Sequence, residues 1–378
     1  MEVRKSAVKQ YIKTLLQSTL LPLCYDSARR HPLDKKLILF ADSNGDTIPE
    51  PMESLKAELS RRGYKCEDWC CDLSKAGIAG GLRFMCRFMK RYAVAGGVVV
   101  CNFFVPLHAC KKRRGTRTVQ IWHSCGAYKK FGYSTPNDVS PHFKGSVSKN
   151  FDIVTVSSPA CIPPFEEAFR LKKGVARALG VPRTDVFFEE GYEQRCREKL
   201  YGYYPGLRGR KLILYLPTFR GDASHAYSVG VGEIESLRDK LGEDCVLAVR
   251  EHPRVKNGRT ELKELSTNEL LVCADMLITD YSSAVFEYAL LMRPMLLWCP
   301  DLGDYLSERD FYLDIHKDMP CPVVTEADSL LRELVRELEA PDMSKYRAFN
   351  DKYMSACDGQ ATKRTADLFK RKDIQHNG

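Results

Sequence analysis

Two α/β units of the doubly wound type, each a mostly parallel sheet with helices packed on it, are what this sequence predicts. Three observations carry the prediction. Its 378 residues exceed what one compact core organises, since domain lengths peak near roughly 100–150 residues. Short apolar runs of strand composition alternate with helical stretches along most of the chain. That alternation breaks once, at the turn-rich segment Gly202-Tyr203-Tyr204-Pro205-Gly206-Leu207-Arg208-Gly209, and then restarts.

The first element is a basic amphipathic helix over residues 3–21, where Val3, Ala7, Val8, Tyr11, Ile12, Leu15 and Leu16 recur at helical spacing and Arg4, Lys5, Lys9 and Lys13 occupy other faces. Strands come next at 37–40 and 66–69, with a helix at 52–62 between them. The stretch 82–91 mixes Leu82, Phe84, Met85, Phe88 and Met89 with Arg83, Arg87, Lys90 and Arg91, the composition of a helix at a membrane surface or of one covering a core. Buried strands are predicted at 97–101, 118–122 and 151–156, and after the break at 211–216, 245–250, 276–279 and 294–298. A last basic helix spans 362–371. The chain thus divides into a basic amphipathic segment (1–30), a first doubly wound domain (31–203), a second (204–355) and a terminal helix (356–378) expected to return toward the first domain. Such sheets bind ligands beyond the carboxyl ends of their strands, so the strand ends are where chemistry is expected.

Composition narrows the function classes. The charge of +9 at pH 7 favours an acidic partner: anionic lipid, a phosphate-bearing substrate or nucleic acid. Nucleic acid ranks last, because no zinc-finger, homeodomain or RNP pattern is present. No apolar run approaches the ~20 residues of a membrane span, and Pro22 interrupts the only amino-terminal run that resembles a secretory signal, so a cytoplasmic protein is expected. The fifteen cysteines are scattered through apolar runs and read as reduced thiols, and the one tight set, Cys66, Cys70 and Cys71, lacks a second ligand pair at zinc spacing. No metal site is expected. Neither a Walker loop nor a Gly-x-Gly-x-x-Gly run occurs, which sets aside ATP-driven phosphoryl transfer and dinucleotide oxidoreduction.

Four strand ends carry candidate chemistry. In Thr279-Asp280-Tyr281-Ser282-Ser283 a strand runs into small hydroxyl residues and then a helix, so the hydroxyls, the backbone N–H groups and the helix dipole converge as an anion seat; a plain helix cap is the alternative. Arg250 and His252 flank Glu251 at another strand end and can present donors to a diphosphate. Thr218 and Arg220 close a third strand at Pro217. In Trp122-His123-Ser124-Cys125-Gly126-Ala127-Tyr128-Lys129-Lys130-Phe131-Gly132, His123 can take a proton from an acceptor hydroxyl. Read on their own, these residues also fit a glycosyltransferase using a nucleotide sugar, or a non-catalytic membrane-associated protein that binds anionic polymer.

The same residues, with Gly180-Val181-Pro182-Arg183-Thr184-Asp185, Tyr215-Leu216-Pro217-Thr218-Phe219-Arg220, His252-Pro253, Tyr305 and Arg309-Asp310-Phe311-Tyr312, resemble the CDP-glycerol glycerophosphotransferase family of teichoic acid and capsule polymers. Asp310 stands where that family's Arg-Gly-Phe-Tyr element has glycine. The resemblance implies a GT-B fold, two Rossmann-like domains facing a central cleft. It also implies transfer of glycerol phosphate or ribitol phosphate from CDP-glycerol or CDP-ribitol to a hydroxyl of a polyprenyl-diphosphate-linked polymer, with release of CMP, no obligatory cofactor, and peripheral attachment to an anionic membrane at the cytoplasmic face of the bacterial plasma membrane. It makes His123 the general base, His252 a catalytic residue at the donor diphosphate, and Ser282, Ser283, Thr218, Arg220, Arg250, Thr279 and Asp280 the donor phosphate site. Glu287 is expected at the nucleotide ribose. Lys129 and Lys130 are expected at the acceptor, together with Asp42 and Ser43, where this chain departs from the family's Asn-Pro pair. The large extra amino-terminal domain of some polymerases is not expected.

Overall fold

The chain is described by a computed structural model over residues 10–136, 138–221 and 225–370. It forms two units. The first comprises residues 1–123, 131–185 and 356–378, and the second 124–130 and 186–355.

The first unit is built on six strands: β1 (Asp34–Asp42), β2 (Lys65–Cys70), β3 (Ala95–Val100), β4 (Arg117–Gln120), β5 (Ile153–Val156) and β6 (Ala176–Ala178). They lie in the order β2-β1-β3-β4-β5-β6, every neighbouring pair parallel. β3 is buried along its whole length and β1 over its last six residues, as continuous apolar runs require of strands covered on both faces. Ile38, Phe40, Val99, Val119 and Ile121 pack against Met52, Leu55 and Leu59 around the helix Glu53–Arg61 on one side of this sheet.

The same cluster takes in Ala366 and Phe369 of the carboxy-terminal segment. That segment is held by polar contacts as well. Arg62 pairs with Asp367 at 2.6 Å, Tyr64 donates its hydroxyl to the Phe369 carbonyl at 2.9 Å, and the Asp185 carboxylate accepts the N–H groups of Ala361 and Thr362 at 3.0 and 2.7 Å. Asp185 thereby satisfies the orphan donors of the helix Ala361–Asp367 from a distant part of the chain.

The second unit has five parallel strands and a small hairpin. The strands are β7 (Lys211–Leu216), β10 (Cys245–Val249), β11 (Met276–Thr279), β12 (Met295–Trp298) and β13 (Val323–Val324), ordered β10-β7-β11-β12-β13. The hairpin pairs β8 (Phe219–Arg220) with β9 (Tyr227–Ser228). One face is covered by the helix Ala327–Glu339, whose Leu330 and Leu334 meet Ile213, Val249, Ile278 and Leu296 of the strands. The helix Thr267–Cys273 starts in a reciprocal cap, Ser266 with Glu269. Thr279 lies opposite Leu216 in one neighbour and Leu297 in the other, and Val249 opposite Tyr215. This register brings the carboxyl ends of β10, β7, β11 and β12 level and places their loops side by side.

The boundary falls at Asp185 and Val186, one helix (Tyr192–Tyr203) ahead of the glycine-rich segment where composition puts it. That helix is tied to the second unit, Arg197 to Asp275 at 3.2 Å and Lys199 to Glu269 at 2.8 Å. Of the amino-terminal amphipathic helix, Val3, Ala7, Val8, Arg4, Lys5 and Lys9 lie outside the described residues. From residue 10 the chain is helical and leads into Leu21–Ala28, which packs on Gly77–Tyr92. None of the fifteen cysteines is in a disulfide.

Candidate active site

In the second unit β11 ends at Thr279, and the chain passes through Asp280, Tyr281, Ser282 and Ser283 into the helix Ala284–Ala289. The Ser282 oxygen accepts the Ala284 N–H at 3.2 Å, a contact that uses the oxygen as acceptor and leaves its hydroxyl proton available to donate. Both serines are part-exposed. Thr279 is fully buried, and its hydroxyl is spent on the Leu216 carbonyl at 2.6 Å.

Arg220, 7% exposed, is the hub of the neighbouring loops. Its Nε donates to Asp301 Oδ2 at 2.7 Å, Nη1 to the Thr218 carbonyl and hydroxyl at 2.9 and 2.7 Å, and Nη2 to Asp280 Oδ2 and Asp301 Oδ1 at 3.0 and 3.1 Å. These contacts use all five guanidinium donors. The plane lies over the rings of Tyr281 and Tyr305, at 4.9 and 4.7 Å from their centroids, and these rings stack on each other at 3.8 Å. Tyr281 donates to Asp301 at 3.1 Å. Asp280, 1% exposed, also accepts the Thr218 N–H and hydroxyl, both at 2.9 Å. Burial raises the Asp280 pKa, an effect Arg220 offsets only in part; burial works the same way on Asp301, but there the Arg220 bonds win and hold the carboxyl below the usual range.

Arg220, Thr218, Thr279 and Asp280, expected as phosphate ligands, therefore bind each other and Leu216, and fix the loops after β7, β11 and β12 around the two serines. A buried pair of this kind is strongly destabilised when one partner is removed. Asp301 was missed by sequence reasoning, although Cys299-Pro300-Asp301 comes after β12 as the other motifs come after their strands.

His252 lies beyond the end of β10 in an exposed turn. Its Nδ1 accepts the Arg254 N–H at 3.1 Å, so the proton of the neutral ring sits on Nε2. The ring packs on Phe219 at 4.7 Å. Partial desolvation, then Arg254 and Lys129, lower its pKa. Arg250 turns elsewhere, donating to the Leu265 carbonyl at 2.6 Å. Glu287, expected at a ribose, is 1% exposed within its helix.

In the first unit His123 stands just past β4. Its Nδ1 lies 3.2 Å from the Cys101 carbonyl, an atom that only accepts, so Nδ1 carries the proton and Nε2 keeps its lone pair. His123 is exposed, yet the protein packed beside the ring lowers its pKa to about 4 against the Cys101 bond, with Arg183 adding to the shift. The ring is neutral at pH 7. Trp122 before it adopts φ +53°, a strained left-handed conformation for a bulky residue, inside a cage of Phe103, Phe131 and Phe169 at 5.1–5.3 Å. Asp42 and Ser43 belong to the frame beneath: Asp42, 1% exposed, accepts from Asn102 and from the Asn44 N–H, each at 2.7 Å, and Ser43 donates to the Phe103 carbonyl at 3.5 Å. Lys129 and Lys130, seven residues or fewer past His123, belong to the second unit. Lys129 donates to the Tyr305 hydroxyl at 3.2 Å, and Lys130 pairs with Asp310 at 2.5 Å.

In each unit hydroxyl or imidazole side chains stand at the carboxyl ends of a parallel sheet, where folds of this class bind ligands. Residues 23–370 match the family described as CDP-glycerol:poly(glycerophosphate) glycerophosphotransferase, and the chain belongs to that family. It is 37% identical over 283 residues to the teichoic acid ribitol-phosphate primase of Bacillus spizizenii, covering 71% of this chain and 72% of the primase. It is 31% identical over 368 residues to the teichoic acid poly(ribitol-phosphate) polymerase of the same organism, covering 93% of this chain and spanning 59% of the polymerase. The solved structure of the wall teichoic acid polymerase TagF superposes with a TM-score of 0.75 at 22% identity, over 96% of this chain and 97% of that one, a likeness of fold.

Proposed function

We propose that this protein transfers ribitol phosphate from CDP-ribitol to a hydroxyl of a teichoic acid chain carried on a polyprenyl diphosphate, releasing CMP. The choice of ribitol over glycerol rests on the relatives, a ribitol-phosphate primase and a poly(ribitol-phosphate) polymerase. The two units act as the lobes of a GT-B enzyme, the donor on the second and the acceptor on the first. The acceptor oxygen attacks the polyol-side phosphorus as its proton passes to Nε2 of His123. The bond from that phosphorus to the bridging oxygen breaks, and CMP leaves with the electron pair. The Nε2–H of His252 and the hydroxyls of Ser282 and Ser283 bind the leaving phosphate, in loops held rigid by Arg220. No divalent ion is required in this scheme.

One observation supports the reading: the hydrogen-bond partners of the two imidazoles imply opposite tautomers, His123 with a bare Nε2 and His252 with an Nε2–H, which suit them to act as base and donor. A panel of CDP-ribitol, CDP-glycerol and UDP-sugars with a synthetic lipid-linked acceptor tests the assignment. CMP release with CDP-ribitol ahead of CDP-glycerol is expected; UDP release with no CMP would replace it with a nucleotide-sugar transferase.

Attachment to the membrane is part of the proposal. Large apolar side chains stand exposed on the first unit's helices, Leu23 at 68% and Ile78 at 86%, together with Tyr11, Ile12 and Leu15. Arg83, Arg87 and Lys90 are exposed on the same helix as Ile78, so apolar groups and cations share this pair of helices. No helix among the described residues is long and apolar enough to cross a membrane. The cytoplasmic face of the plasma membrane is where CDP-linked donors and a lipid-carried acceptor would meet.

A further inference from the structure

We propose that residues 124–130 form a positioning strap for the catalytic base, packed in place through Tyr128 and Lys129 so that the seating of the strap governs how the chain presents His123. The inference rests on the reading of His123 as the base. His123 is the last residue of the first unit before the crossing, and Ser124 the first of the second. Beyond Ser124 the strap is embedded in the second unit at every other step. Gly126 has φ +64°, and a Cβ there would sit 2.2 Å from the Phe286 ring, so only glycine permits the approach. Tyr128 is buried, stacked on Phe311 at 5.0 Å and edge-on to Phe286 at 6.3 Å. The backbone adds an antiparallel rung: the Tyr312 N–H donates to the Tyr128 carbonyl at 2.9 Å and the Lys130 N–H to the Asp310 carbonyl at 2.8 Å, with Lys129 opposite Phe311.

Lys129 connects this rung to the site. Its ammonium donates to Tyr305, whose ring stacks on Tyr281, the residue before Ser282 and Ser283. On its other side His123 is braced by the caged, strained Trp122. In the chain His123 thus lies between two packed segments, the aromatic cage around Trp122 and the strap that begins at Ser124. Proton transfer demands hydrogen-bond reach, and a displacement of about 1 Å at such a group costs on the order of 100-fold in rate.

Steady-state turnover with CDP-ribitol and lipid-linked acceptor, paired with calorimetric binding of CDP, tests this in the full chain. Tyr128→Ala is expected to lower kcat on the order of 100-fold while CDP affinity stays within about threefold, and Tyr128→Phe to keep kcat within about threefold of the parent. If Tyr128→Ala fails to fold, Tyr305→Phe removes only the oxygen that Lys129 bonds and is expected to cost about tenfold in kcat with the same retention of CDP binding. An unchanged kcat in the folded variant would overturn the strap, and so would a loss of CDP affinity as large as the loss of kcat, which would make the segment part of the donor site. His123→Ala measured alongside separates the two claims: if it abolishes turnover while the strap variants do not, the strap alone fails, and if it leaves turnover intact, the reading of the base fails with it.

Discussion

His108 gives the plainest consequence of burial for a single residue. It is fully buried, its Nδ1 accepts the Asn150 N–H at 3.2 Å, and its Nε2 is buried without a hydrogen bond. Burial, then the nearby Lys149, lowers its pKa to about 3. In the unfolded chain the same ring takes a proton near the ordinary value of about 6.5. Between these values the unfolded state binds the extra proton, so stability is lost as pH falls through that window, by about 1.4 kcal/mol for each unit below 6.5. Urea unfolding at pH 5 is expected to show this group costing about 2 kcal/mol relative to neutral pH, and His108→Gln to remove that part of the slope; an unchanged slope would contradict the account. At this scale the sequence was informative about which residues gather at strand ends and poor about what they do there. That His123, His252, Ser282 and Ser283 stand just past strand ends is legible in the sequence, because each follows a short apolar run of strand composition. Arg220, Thr218 and Asp280 looked identical to ligands, since a cation, a hydroxyl and a carboxylate at adjacent strand ends serve equally to bind a phosphate or each other. Only the partners decide, and Asp301, some eighty residues from Arg220 in sequence, is the partner that no local pattern could supply.

Among the elements, the long apolar strands were read within a few residues, because a run such as Gly97-Val98-Val99-Val100 can only be buried. The strands β6, β8, β9 and β13 escaped, each two or three residues long and too short to show a period. The helix Ala361–Asp367 shows how an element's place can depend on one distant residue. Asp185 caps it from the far side of the second unit's sequence, so Asp185→Ala leaves two helix N–H groups without their acceptor. A loss of about 1 kcal/mol is expected, with faster amide hydrogen exchange in residues 361–367 and little change in the second unit's β7 and β11. Uniform loosening of both units would contradict the assignment of this helix to the first. The unit boundary was misplaced for a related reason: the chain's turn-rich segment comes after a helix whose loyalty is set by Arg197 and Lys199 reaching Asp275 and Glu269, contacts that composition does not encode.

For the whole molecule, parallel α/β architecture was legible from alternation alone, and the family from strand-end motifs spread over most of the chain. The extent of each unit was less so, because residues 124–130 lie in the first half of the sequence and belong to the second unit. The net charge of +9, with exposed Leu23, Ile78, Arg83, Arg87 and Lys90, predicts binding to vesicles containing anionic lipid that weakens as salt rises. Leu23→Asp combined with Ile78→Asp is expected to reduce co-sedimentation severalfold while CDP binding persists. Equal binding to neutral vesicles would remove the electrostatic part of this attachment.

The central claim is that a neutral imidazole of the first unit deprotonates the acceptor while the second unit holds a CDP-linked polyol. Single-turnover CMP release from CDP-ribitol, compared in the parent chain and in His123→Ala alongside calorimetric CDP binding, tests it most directly. The account predicts that release slows by roughly 100-fold or more with CDP affinity nearly unchanged. Undiminished release, or a loss of CDP binding that matches the loss of rate, would contradict it.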